Sequence, residues 1–212
     1  AALTTYLVGF ISGDDSDGPV NHESVQGDEA TESAGPEDPA TGKAPTALPV
    51  VIGPLTAQLV DTAGNPQPSN ATPANLVDSD TSTTFTAPRG SAIVLRPADP
   101  ASAPALTLEH VLIDAAPDGG PYRVYGVPEG SGDALAVDEL PLLAEGTLHS
   151  GQNNVDIPDP GTATTTGAGA DASVPERLEA VVISLPPTGD NPEGLAEPTL
   201  KEVSVIGHPR RA

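Results

Sequence analysis

The chain reads as an all-β fold, and three observations predict it. Short apolar runs alternate with turn-forming clusters from Leu48 onward. Apolar and polar residues alternate in Leu106, Leu108 and Leu112 and again in Val203 and Val205, as strands with one buried face require. Nowhere does a 3.6-residue apolar period persist for the length of a helix, and there is no βαβ unit, phosphate loop or internal repeat.

Taken in order, Ala1 to Ile11 is an apolar opening rich in β-formers. It is far shorter than the roughly 20 residues that cross a bilayer, and it lacks the basic n-region of a signal peptide. Residues 1–12 therefore read as a strand of the main sheet or as an arm, with Tyr6, Leu7, Val8, Phe10 and Ile11 as the docking side chains. Residues 13–47 form an acidic, Pro/Gly-rich linker with nine carboxylates before its first basic residue, Lys43. Such a stretch buries too little apolar surface to offset the entropy of ordering it. Asp14, Asp15 and Asp17 lack the glycine and closing glutamate of an EF-hand loop.

The β domain is expected over 48–208. Its predicted strands are Val50–Ile52, Thr56–Asp61, Ala92–Arg96, Thr107–Ala115, Tyr122–Gly126, Leu142–Leu148, Asn154–Ile157, Leu178–Leu185 and Leu200–Gly207. Between them lie segments such as GNPQPSNATP, APDGGP, PDPGTATTTGAGADASVP and PPTGDNPEG, whose Pro, Gly, Asn and Asp content is that of loops. Val181 to Ile183 is apolar at every position and reads as a strand buried on both faces. Residues 209–212 are a basic tail.

Composition bounds the function. With 8 basic residues against 30 acidic ones, the formal charge is −22. That charge repels nucleic acid and anionic lipid, and suits solubility, cation attraction or docking on a basic surface. No cysteine is present, which excludes disulfides, thiolate metal sites and Cys nucleophiles. The four histidines have no metal-ligand spacing, and no serine sits in a Gly-x-Ser-x-Gly elbow, so no enzyme is expected. One stretch concentrates oxygen chemistry: Asp78 and Asp80 open a Ser/Thr-rich loop that closes on Phe85. Its side chains can satisfy the loop backbone or hold a hard cation.

In order and spacing, these pieces resemble the discoidin (F5/8 type C) branch of the galactose-binding-like jelly rolls. The family signature "Ala-x-x-Asp-Gly-Asp-x-x-Thr-x-Trp" is matched by Ala74 to Phe85, followed by Ala92–Arg96, the Tyr122–Tyr125 strand, and a closing pair at Leu178–Leu185 and Leu200–Gly207. Phe85 replaces the signature tryptophan and Ser79 the signature glycine. The resemblance implies a jelly-roll β-sandwich over 48–208 and a structural calcium ion held by Asp78, Asp80, Thr83 and Glu202. It also implies ligand loops at one end of the sandwich, where Arg89, Tyr122 and Arg123 are the candidate contacts.

The sequence thus predicts a non-enzymatic structural or interaction subunit, docked by its N-terminal arm on the outside of a larger assembly such as a virion or cell-surface layer. A carbohydrate- or surface-binding module is the alternative, and the extracytoplasmic domain of a membrane protein a further one. The expected setting is extracellular, cell-surface or virion-exterior. The expected partners are proteins of the assembly or a glycan, with no nucleic acid and no membrane span in this chain.

Overall fold

The computed structural model describes residues 48–68, 72–99, 106–117, 119–132, 136–187 and 197–209. The chain divides into two compact units, Ala1–Ala44 and Pro45–Ala212, and the described residues all belong to the second. The expected arm and acidic linker, and the basic tail beyond Pro209, lie outside the described residues.

Twelve strands are present among the described residues: β1 (Val50–Ile52), β2 (Leu55–Asp61), β3 (Phe85–Thr86), β4 (Ser91–Pro97), β5 (Leu106–Ala116), β6 (Gly120–Pro128), β7 (Leu142–Leu148), β8 (Gly151–Asp156), β9 (Ala163–Thr165), β10 (Asp171–Ser173), β11 (Leu178–Leu185) and β12 (Thr199–Pro209). All pairings are antiparallel. One layer runs β2–β4–β11–β6–β7. The other runs β1–β12–β5–β8, with β3 extending the β1 side of β12. The layers join only where Leu178 of β11 pairs with Leu106 of β5. This is the expected all-β sandwich.

Strand alternation explains the core. Ile93, Leu95, Val181, Ile183 and Val124 point inward, where they meet Val111, Ile113, Val155, Val203 and Val205 of the second layer. The opposite face of the first layer is also buried, by Ala92, Val94, Tyr125, Ala180 and Val182 beneath Val137 and Leu140. So β11 is buried on both faces, as its unbroken apolar run predicts.

What covers that second face is the segment expected to be loop. The β9–β10 hairpin folds back onto a 3-10 turn at Val137–Glu139, with Gly167 N–H donating to Leu140 O at 3.3 Å and Ala168 N–H to Asp138 O at 2.7 Å. Gly167 is required here. A Cβ would stand 2.9 Å from Asp138 Cα and 3.0 Å from the Tyr125 hydroxyl. Thr, Ala and Gly carry so little hydrophobic signal that the hairpin is invisible to periodicity.

Candidate metal centre

The loop between β2 and β3 is built to collect oxygens. Pro73–Leu76 forms one 3-10 turn whose buried Leu76 plugs the core from above. The chain then turns at Ser79, whose φ of 63° is the one positive value of a non-glycine residue among the described residues. Phe85, fully buried, ends the loop by pairing opposite Leu200 on β12. Asp78 Oδ1 accepts the Asp80 N–H at 2.9 Å and Asp80 Oδ1 accepts the Ser82 N–H at 2.9 Å, two successive Asx turns. The Ser82 hydroxyl and N–H hold the Asp80 carboxyl below its ordinary value.

Around Thr83 four acceptors gather, two with main-chain donors of their own: Asp80 O receives the Thr83 N–H at 3.0 Å and Asp78 Oδ1 the Asp80 N–H at 2.9 Å. Thr83 Oγ1 lies 3.2 Å from Asn75 O, 3.2 and 3.0 Å from the two Asp78 carboxylate oxygens, and 2.8 Å from Asp80 O. One hydroxyl carries one proton and cannot donate to four acceptors. Close by, Glu202 of β12 receives the Ser79 N–H, yet its Oε2 is buried without any partner. Burial, and then the neighbouring charges of Asp78, Asp114 and Asp80, push the Glu202 carboxyl above its ordinary value. Asn75 O and Asp78 Oδ2, left to share one hydroxyl proton beside a carboxylate that burial disfavours in its charged form, are a setting that a hard cation would relieve.

The residues therefore fit a calcium ion, in a pattern slightly different from the one expected. Asp78, Thr83 and Glu202 offer side-chain oxygens. Asp80 spends its carboxylate on Ser82 and offers its main-chain carbonyl, and Asn75 O completes the set. Carboxylates alone do not make the site: among the described residues no three His, Asp or Glu side chains stand together as a metal cluster. Asn75 was not singled out by the sequence because a main-chain carbonyl leaves no side-chain signal.

Ser79 stands where the family signature has glycine, and its left-handed φ gives the physical reason for that glycine. A non-glycine residue there costs about 1–2 kcal/mol, offset in part by the roughly 0.4–1 kcal/mol that a side chain contributes by restricting the unfolded chain. Ser79→Gly should accordingly raise stability by a few tenths to about 1 kcal/mol. A urea titration showing no gain or a loss would mean that the Ser79 side chain supports the loop.

The three expected ligand contacts group at one end of the first layer but differ in access. Arg89, in the β3–β4 turn, donates from Nη1 to Pro121 O at 3.1 Å and Pro186 O at 3.4 Å. Its Nε and Nη2 are buried without partners, and burial pushes the guanidinium below its ordinary value. Tyr122 faces the core between the layers and is 8% exposed, so its ring offers no stacking surface. Arg123, on the other side of β6, is half exposed and bonds Glu145 Oε2 at 3.3 Å. The Tyr125 hydroxyl, the larger influence, and Glu145 hold Arg123 above its ordinary value. Tyr125 and Phe85 are also buried, which leaves no exposed aromatic among the described residues. The arm residues Tyr6, Leu7, Val8, Phe10 and Ile11 lie outside the described residues.

Two further acid–base contacts are cross-strand pairs. His110 meets Asp156 at 2.9 Å between β5 and β8, and His208 meets Glu109 at 2.5 Å between β12 and β5. Both tie neighbouring strands of the second layer, consistent with His110 being a satisfied strand histidine. Among the described residues no helix is long and apolar enough to cross a membrane.

No family model and no curated protein matches the chain. Among solved structures, a family 32 carbohydrate-binding module from Clostridium perfringens NanJ, in complex with galactose, superposes with a TM-score of 0.45 at 12% identity, over 75% of this chain and 99% of that one. A chitosan-binding module of a Paenibacillus sp. IK-5 chitosanase/glucanase gives 0.45 at 11% identity, over 72% and 94%. A family 89 glycoside hydrolase from Clostridium perfringens gives 0.42 at 14% identity, over 74% of this chain but only 14% of that enzyme. With TM-scores this low, the sandwich assignment rests on the strand order and register described above.

Proposed function

We propose that the sandwich is a non-catalytic, extracellular binding module whose Asn75–Thr83 loop is ordered by calcium and whose ligand is a glycan. The supporting observation is the oxygen cluster of Asn75, Asp78, Asp80 and Thr83, in which Asn75 O and Asp78 Oδ2 share one hydroxyl proton, beside the partnerless Glu202 oxygen. Calcium would supply positive charge and fixed geometry to the loop, with Asp78, Thr83 and Glu202 holding it together with the Asn75 and Asp80 carbonyls. The glycan part follows the resemblance to discoidin-like jelly rolls. With the described aromatics buried, recognition must rely on hydrogen bonds from exposed polar groups such as Arg123, so affinity should be modest and specificity polar.

A glycan array run with calcium should return hits, and Arg123→Ala should weaken them by about tenfold, the worth of one charged hydrogen bond. An array without a hit at high protein concentration would remove the glycan reading. The assembly-subunit reading keeps one observation in its favour, the exposed apolar side chains Val50 and Val51 of β1.

A further inference from the structure

Arg89 is a cation that neither the calcium loop nor a salt bridge explains: it lies in the β3–β4 turn, and among the described residues it joins no ion pair. Its Nη1 donates to Pro121 O at 3.1 Å and to Pro186 O at 3.4 Å, one nitrogen serving two strand ends. Pro121 belongs to β6, and Pro186 directly follows β11. The register that sets Ser184 opposite Arg123 runs on to Pro186 opposite Pro121. Leu185 turns its carbonyl toward β4, where it receives the Gly90 N–H at 2.7 Å. Main-chain groups alternate sides along a strand, so Pro186 turns its carbonyl toward β6. The two prolines thus face each other where each residue of a ladder would donate to the other, and proline has no N–H to donate.

We infer that Arg89 is a positioning residue: its Nη1 supplies the two hydrogen bonds that the opposed Pro121 and Pro186 cannot make, and so fixes the start of β6 and with it Arg123, two residues on. One nitrogen with two hydrogens matches two carbonyls. The side chain starts beside β4 and reaches β6 across the end of β11, the strand between them. General stability does not account for an arginine here. Its Nε and Nη2 are buried without partners, an expense that an apolar side chain of similar length would avoid. What the arrangement secures is local: the last main-chain pair before the prolines is Arg123 with Ser184, and the Arg123 side chain stands beside Glu145 at the exposed end of the layer. Only the consequence for ligand binding rests on the glycan reading; the placement of Arg123 by Arg89 does not.

The test uses the full chain and amide hydrogen exchange read by NMR. In Arg89→Met, which keeps most of the side-chain length and removes the donors, the Arg123 and Ser184 amides should exchange about tenfold or more faster, the worth of one charged hydrogen bond. The Tyr125 and Val182 amides, the next such pair into the layer, should keep their native rates. Adding Pro186→Ala gives position 186 an N–H aimed at Pro121 O, and most of the lost protection should return. Native protection of Arg123 and Ser184 in Arg89→Met would overturn the inference. So would a loss spread evenly over the layer, which marks general destabilisation, or a failure of Pro186→Ala to restore protection. With a glycan found on the array, Arg89→Met should weaken its binding in the native chain but not beside Arg123→Ala, because Arg89 acts through Arg123. Equal weakening in both would also overturn the inference. An array without a hit removes the glycan reading, and the exchange rates then decide the role of Arg89 by themselves.

Discussion

Saturating calcium should raise the thermal midpoint of the chelated protein by roughly 5–10 °C, and Glu202→Gln should remove most of that rise. The size follows from linkage. A ligand at about 100 times its Kd stabilises by about 2.7 kcal/mol, and a domain of this size gains about 2–4 °C for each kcal/mol. The sign of the pH dependence gives a second check. The Glu202 carboxyl is raised in the fold by burial and by Asp78, Asp114 and Asp80. Without metal, the folded protein therefore binds more protons than the unfolded chain between the ordinary glutamate value and the raised one. Stability contributed by this group is present below that window and is lost as pH rises through it. Calcium reverses the trend, because it needs the ionised carboxylate. Melting curves across that range, with chelator and with calcium, should slope in opposite directions for the native chain, and Glu202→Gln should flatten both. Parallel slopes would refute a cation at this position.

Phe85→Ala should be the most damaging single substitution in the loop region, costing about 3–5 kcal/mol. Phe85 is fully buried in the core between the layers, and β3, which it opens, pairs with β12 immediately before Glu202. Loss of the ring leaves a cavity and also unpins the end of the loop. The Asn75 side chain bonds Thr84 O at 3.3 Å there, so the oxygen cluster should loosen with the core. Urea unfolding should show the stability loss, and calcium titration of the surviving folded fraction should show weaker binding. A loss of core stability with calcium affinity intact would separate the two roles.

The sandwich was legible because its strands alternate against one core. Val50–Ile52, Leu142–Leu148 and Leu178–Leu185 have the predicted bounds, and the other predicted strands are present with ends moved by up to three residues. The misses share a physical cause. Phe85–Thr86 is too short to show a period, and the β9–β10 hairpin is drawn from Thr, Ala and Gly. The proposed cation ligands Asp78, Thr83 and Glu202 could be named from the sequence, since acidic and hydroxyl residues announce themselves. The shares of Asn75 and Asp80 are main-chain oxygens, which any residue supplies, and only the fold brings them to one point. The end that carries Arg89, Tyr122 and Arg123 was least legible. Tyr122 and Tyr125, three residues apart on β6, lie on opposite faces of that strand, and both faces of the layer are buried.

The pairing of β12 with β1, β3 and β5 has a consequence for synthesis. The last strand of the sandwich is the one that closes its first, across some 150 positions, and it also delivers Glu202 to the loop. Contacts of such sequence separation form late and slowly. A ribosome that has finished β11 has made the whole first layer, while β1 and β3 still lack their partner and β5 has only β8. Until the final segment emerges, the nascent chain exposes strand edges that can pair wrongly with a neighbour. The abundance of acidic residues, repulsive between identical chains, is the protection available to it during that interval.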